Sequence, residues 1–309
     1  MKKILLTLLL IIAAGLGALV MSFSAAVLPT GAAPQITLPS AHPPEGMKLS
    51  AIEAGKMLSK AGFAFRGGNI SEPRIFGMGG ILVQHPQGTL LFDTGFGRNV
   101  DAHFQTIPWL MRATSKYEKE LTVAEQLRKA GLDPSKLTGV VLTHAHWDHV
   151  SGVEDLPGVP VWVNQAEMDF IKSGDPATKL ARSFGALPYK IYDFSGGPYL
   201  GFEHSYDVFG DGAVVLVPAP GHTPGSIIAF ITVPSGVHYA LVGDLVWQAE
   251  GVNIPAERPW LSRKLVDHDE AQVRELIVKM HQLKQAMPGL VIVPAHDRRV
   301  WDTLPKLAG

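Results

Sequence analysis

Residues 143 to 149 read Thr-His-Ala-His-Trp-Asp-His, so His144, His146, Asp148 and His149 bring four metal-competent side chains within six residues. No other feature constrains the fold so strongly, because polar and charged groups crowded together are costly to bury unless they are paired or metal-bound. Imidazole nitrogens and carboxylate oxygens bind zinc at about 2.0 to 2.2 Å, and neighbouring ligands converge on one ion where the backbone turns sharply. The preceding Val140-Val-Leu142 is apolar and mostly β-branched, and reads as a short buried strand ending where the ligands begin. In open α/β sheets that edge is where sites form.

Three further segments repeat the arrangement. Pro218-Ala-Pro-Gly-His222-Thr-Pro-Gly follows a strand-like run from Ala213 to Val217, with proline and glycine fixing the turn. Ser226 to Val233 and His238 to Val242 read as antiparallel strands turned at Pro234-Ser-Gly236, which carries Gly243-Asp244 back to the edge that holds His222. Leu290 to Val293 is another apolar strand, ending in Pro294-Ala-His296-Asp297. Each residue taken singly would read as an ordinary turn or a hydrogen-bonded histidine. Taken together, these strand-end ligands point to a common metal centre.

The whole set resembles the metallo-β-lactamase superfamily, over about Gly79 to Trp301. The resemblance rests on Leu91-Phe-Asp93-Thr-Gly95, on H-x-H-x-D-H followed by Gly152, on Gly221-His222-Thr-Pro-Gly225, on Gly243-Asp244 and on His296. It implies an α/β four-layer αββα sandwich and two divalent metal ions, zinc favoured. His144, His146 and His222 would hold one ion, Asp148, His149 and His296 the other, and Asp244 would bridge them. Asp93 would orient a ligand imidazole through its other ring nitrogen, although before Thr-Gly it also reads as a plain turn aspartate. Such an ion pair lowers the pKa of a shared water toward about 7, and the expected reaction is hydrolysis of an ester-like bond. Asp148 and Asp244 are the expected catalytic residues, Asp148 by orienting the hydroxide or carrying its proton.

Composition agrees. A chain of 309 residues with 46% hydrophobic content is long enough for one large α/β domain. The absence of cysteine excludes a disulfide framework and a cysteine-ligated zinc site. Structural zinc sites are usually closed by four ligands and rich in cysteine, so seven histidine and aspartate ligands favour a hydrolase over a structural or purely binding protein. A formal net charge of −1 offers nothing to nucleic acid, and a small-molecule substrate is expected.

Lys2 and Lys3 precede an apolar run from Ile4 to Met21, then Ser24-Ala25-Ala26. Residues 1–26 therefore read as an export leader, cleaved at the small residues, or as an uncleaved anchor given the length of the run. A periplasmic or secreted location follows, with membrane contact only through that segment. Prolines at 29, 34, 39, 43 and 44 make residues 27–46 a stiff tether outside the core, and 47–309 form the hydrolase domain. Within the domain, Ser50 to Ala61 reads as a short helix, and Ile81 to Gln84 with Thr89 to Phe92 as a hairpin. Thr122 and Glu125 form a capping box with Gly131 ending that helix, and Asp269 to Met287 is an amphipathic helix.

Within the superfamily, lactonases that open acyl-homoserine lactones look most similar, through the bridging aspartate, the compact length and the His296-Asp297 pair. They place a tyrosine three residues after that aspartate, where this chain has Trp247. Exported hydrolases of aryl esters or organophosphate triesters are the alternative, and they line the metal mouth with large aromatics. Trp247 and Phe96 are the expected substrate contacts, with Trp109 and Trp147 as further candidates. The short segment after His296 argues against a glyoxalase II-like thioesterase, and Asp244 argues against a β-lactamase.

Overall fold

The structure is a computed structural model and describes residues 2–308; Met1 and Gly309, the outer ends of the expected leader and hydrolase domain, lie outside. The first element is α1 (Lys2–Ser22), an apolar helix that the rest of the protein leaves uncovered.

β1 (Lys48–Lys60) then occupies the stretch that reads as a helix in sequence, which corrects the expectation for Ser50 to Ala61. The reason is an irregularity. β1 pairs with β2 (Pro73–His85) along its whole length, but the register shifts between Glu53 and Gly55, where one extra residue is inserted. Before the shift Leu49 and Ala51 face one core and Ile52 the other; after it Met57 joins Ile52. A broken two-residue alternation of this kind imitates helical spacing.

The chain continues through α2 (Ala61–Ala64), β2 and β3 (Gly88–Phe92), the expected hairpin, and then α3 (Val100–His103), α4 (Trp109–Thr114), β4 (Lys116–Lys119) and α5 (Val123–Lys129). α5 carries the capping box of Thr122 and Glu125, and Gly131 follows it at φ +74°. β5 (Gly139–Val141), α6 (Trp147–Val150), β6 (Val161–Asn164), α7 (Gln165–Lys172), α8 (Lys179–Ser183) and β7 (Tyr189–Tyr192) complete the first half. The second half comprises β8 (Tyr206–Asp207), β9 (Val214–Pro218), β10 (Ile227–Thr232), β11 (His238–Gly243), α9 (Glu250–Asn253), α10 (Trp260–Val266), α11 (Glu270–Ala286), β12 (Leu290–Pro294) and α12 (Arg298–Trp301). Asp269 caps α11, whose Val273, Leu276, Ile277, Met280 and Leu283 are buried as expected.

The strands form two sheets, in the orders β4-β1-β2-β3-β5-β6-β7 and β12-β11-β10-β9-β8. Alternate residues divide three cores between four layers. Ile81, Val83, Leu90 and Phe92 meet Leu216, Ile227 and Ile231 between the sheets. Leu82, Leu91 and Val140 pack outward under Leu127, Val150 and Ile171, while Ile228 and Phe230 pack under α11. This is the expected four-layer αββα sandwich, since each sheet hides one face on its partner and the other beneath helices. The segment 27–46, expected outside the core, lays Leu28 and Ile36 against the α11 side of the domain, and His42 N donates to Asp211 O at 2.8 Å.

Candidate metal centre

Five strand ends supply the site. The turn after β5 carries His144 to His149, the turn after β9 carries His222, Asp244 follows β11, β12 leads to His296, and Asp93 follows β3. β11 and β12 run parallel, which puts Asp244 and His296 on one edge. His146 precedes α6, whose first turn carries Asp148 and His149.

All seven expected ligands converge. His144, His146 and His222 have ring nitrogens within 4.8 Å of one another; the ring nitrogens of His144 and His149 lie as close to a carboxylate oxygen of Asp244, and those of His149 and His296 to one of Asp148. Asp244 is common ground: its Oδ1 lies 3.0 Å from His296 Nε2 and 3.3 Å from His149 Nε2, and its Oδ2 lies 3.5 Å from His222 Nε2. His296 Nε2 is also 3.4 Å from Asp148 Oδ2.

The donor set fits divalent ions. The Nε2 atoms of His144, His149, His222 and His296 and the Oδ1 of Asp244 are buried without a hydrogen-bond partner. Buried polar atoms rarely stay unsatisfied. The opposite nitrogens are all occupied: His149 Nδ1 by Asp93 Oδ2 at 2.8 Å, His222 Nδ1 by Asp267 Oδ1 at 2.9 Å, His296 Nδ1 by Gly77 O at 2.8 Å and His144 Nδ1 by the Thr143 hydroxyl at 3.1 Å. Such bonds hold the rings with Nε2 turned inward, the arrangement that metal-binding imidazoles need.

Electrostatics follows from the crowding. Burial, then neighbouring imidazoles, hold His144 and His146 well below the usual histidine range, so both are neutral and able to donate a lone pair. Against the effect of burial, Asp93 and Asp244 push His149 well up, and Asp244 raises His296. Burial opposes ionisation of Asp244, but His296 and His149 outweigh it and hold the carboxyl well below its usual range.

Asp93 is more than a turn residue. It adopts φ +57°, and its carboxylate accepts from Thr143 N and the Thr143 hydroxyl, each at 2.7 Å, besides His149. Two further acids were not singled out in the sequence. Glu167 on α7 is buried and accepts from Ala145 N at 2.6 Å, the Thr223 hydroxyl at 2.7 Å and Gly225 N at 3.0 Å, tying the His144 turn to the His222 turn. Burial pushes its carboxyl up to about 7. Gly225 permits this approach, because a Cβ there would strike the Glu167 backbone. Asn164 and Glu167 have capping-box spacing, yet the Glu167 side chain goes to the site rather than back to its own helix. Asp267, with a fully buried side chain, joins His222 to Arg258, whose guanidinium also donates to Asp244 O at 2.9 Å. No motif marks Asp267 or Arg258.

His146, Asp148, His222, Asp244 and His296 floor a cavity of about 360 Å³. Its walls include Met57, Phe76, Met78, Ile107, Met111 and Trp247, and among the described residues no lysine or arginine lines it. Trp247 is thus at the cavity as expected, with its indole N–H donated to Asp244 Oδ2 at 2.7 Å. Phe96 is not: it is 1% exposed and packs on Trp147 and Tyr117 beneath the site, which corrects its assignment as a substrate contact. Trp147 reaches the wall, whereas Trp109 stands outside it.

A family model described as the metallo-beta-lactamase superfamily matches residues 81–296. A "probable metallo-hydrolase" of Mycobacterium tuberculosis is 31% identical over 233 residues, 70% of this chain and 73% of its own. An N-acyl homoserine lactonase of Rhizobium johnstonii is 24% identical over 239 residues, 73% of this chain and 83% of its own. Among solved structures, an N-acyl homoserine lactone hydrolase with N-hexanoyl-L-homoserine at its catalytic metal centre superposes with a TM-score of 0.64 at 18% identity, covering 84% of this chain and 96% of that one. With the family model spanning most of the chain and the two-sheet fold in agreement, the protein belongs to the metallo-beta-lactamase superfamily and is a metal-dependent hydrolase.

Proposed function

We propose that the protein is a dinuclear, zinc-dependent lactonase, exported from the cytoplasm. One observation carries this reading: seven histidine and aspartate side chains converge beneath an apolar cavity, and five of them, His144, His149, His222, Asp244 and His296, keep a buried atom unpartnered. Two divalent ions, when bound, make hydroxide available at neutral pH and polarise the bond to be cleaved. His144, His146 and His222 would hold one, Asp148, His149 and His296 the other, and Asp244 both. Asp148 opens into the cavity and is placed to orient the attacking oxygen and carry its proton.

The walls define the substrate. Because no lysine or arginine among the described residues lines the walls, an anionic group held away from the ions finds no counter-charge there, so an ester with a neutral, apolar flank fits best. The similarity to N-acyl homoserine lactonases favours a lactone among such esters. Trp247 favours a second reading, an aryl ester or phosphotriester, because its N–H is engaged by Asp244 and its ring leaves an aromatic wall.

Zinc-loaded enzyme assayed side by side on acyl-homoserine lactones, aryl lactones, organophosphate triesters and a chromogenic cephalosporin tests the proposal. The highest kcat/KM is expected on a lactone, with loss on chelation and recovery on zinc addition. Preference for a triester establishes the second reading, and two bound metals with no turnover on any of these sink both.

A further inference from the structure

The last turn of α1 and the segment after it are fastened to the hydrolase domain. Gly67 N donates to Phe23 O at 3.0 Å, the Arg66 guanidinium to Met21 O at 3.3 Å and Ser24 O at 3.2 Å, and Leu28 N to Pro255 O at 2.8 Å. The Phe23 ring meets Phe63 edge-on at 5.7 Å, and Ser262 of α10 donates its hydroxyl to Phe63 O at 3.0 Å. The exit of α1 is therefore held beside α10. Ala25, in the middle of the expected cleavage site, lies against Gly67. A protease that takes small residues in an extended strand finds them already docked.

α10 also builds the cavity. Leu265 and Val266 at its C-terminal end line the wall, and Trp260 at its start is 47% exposed. On so short a helix these lie within about 10 Å of one another. Ile107, Pro108 and Met111 line the same cavity, and Trp109 among them is 70% exposed. Ile70, which lies against Gly62, and Ile254, next to the Pro255 anchor point, are exposed too. The end of the apolar helix, the exposed Trp260 and one wall of the cavity thus share one short element, α10, and the exposed Trp109 stands between residues of the same cavity.

That combination has one natural solvent. Residues Lys3–Ser22 make a helix of 20 residues, about 30 Å long, which matches the hydrocarbon thickness of a bilayer. Tryptophan settles at the headgroup level, where its apolar ring and N–H are both accommodated. Lys2 and Lys3 at the start of the helix orient that end toward the cytoplasm and the domain toward the other side. We propose that α1 is retained as a membrane anchor and that the cavity mouth faces the bilayer, so that lipophilic substrates enter from the lipid phase. Only the nature of those substrates rests on the ester-hydrolase reading.

Full-length protein expressed with its own N-terminus is fractionated, and its intact mass is measured. A species that keeps α1 and stays in the membrane through alkaline carbonate is expected; a soluble species beginning after Ser24, Ala25 or Ala26 overturns the proposal. The purified full chain is then placed in vesicles containing brominated phospholipid, and tryptophan quenching is recorded. Of the six tryptophans, Trp147, Trp162 and Trp301 are buried and Trp247 is partly covered, so most of the quenching should disappear in Trp109→Phe/Trp260→Phe. Quenching unchanged in that variant, or absent in the parent, overturns the orientation. Neither measurement reads turnover, so an enzyme inactive on every ester refutes the ester reading and leaves the anchor tested on its own.

Discussion

Trp247 donates its indole N–H to Oδ2 of Asp244 at 2.7 Å, while the Arg258 guanidinium lies over its ring at 4.8 Å. The residue that stands where lactonases have a tyrosine therefore steadies the central carboxylate. Trp247→Phe keeps an aromatic wall and removes that donor. A hydrogen bond to a charged group is worth about 1.5–3 kcal/mol, so kcat/KM should fall by about 10- to 100-fold. Steady-state kinetics checks this, and an unaltered kcat/KM would show that the bond has no part in catalysis.

His222→Ala and Asp244→Ala each remove a proposed metal ligand from the shared cluster. Activity should be lost and bound zinc per chain should drop, while the exposed His204→Ala retains both. Metal analysis alongside the activity assay reads the outcome.

Asp267 holds the His222 ring at 2.9 Å and would act through it on a bound metal. Asp267→Asn should weaken metal affinity by about 10- to 100-fold, the usual result of removing a carboxylate that orients a ligand imidazole. Arg258 then lacks its carboxylate, so the metal-free protein should also lose stability, by about 3 kcal/mol. Against the effect of burial, Arg258 holds the Asp267 carboxyl below its ordinary range, so the pair is ionised at neutral pH. Competitive titration with a zinc chelator and urea unfolding separate the two effects.

Glu167 gives the fold a pH dependence of definite sign. Its carboxyl is raised from 4.5 to about 7 by burial, so the folded state keeps the proton after the unfolded chain has released it. Its contribution to stability is therefore greatest at low pH and declines as pH rises from about 4.5 to about 7, by about 3 kcal/mol at full effect. Histidine titration is common to wild type and Glu167→Gln, so the difference between their unfolding free energies, measured without metal from about pH 5 to about pH 8, isolates this group. Parallel curves would refute the assignment.

The metal cluster was legible because its residues follow short apolar runs, and a strand that ends at a histidine tells where that histidine stands. The hairpin of β2 and β3, the box at Thr122 and the stripe on α11 were legible for a similar reason: local pattern and tertiary role agree. β1 was not, because the insertion between Glu53 and Gly55 exchanges the faces midway. Phe96 lies near Asp93 in sequence, but linear distance carries no depth, and its ring went to the core. Glu167 and Asp267 escaped notice because each reaches the site from a helix or connecting segment whose own residues announce only a cap or a loop.

The ligands do not come from one sheet. His144 to His149 extend from the larger sheet, whereas His222, Asp244 and His296 extend from the smaller one. Divalent cations bound between them, as proposed, would rivet the two halves of the sandwich together, so occupancy of the centre and cohesion of the domain would rise together, and starvation for metal would loosen the protein as it silenced it.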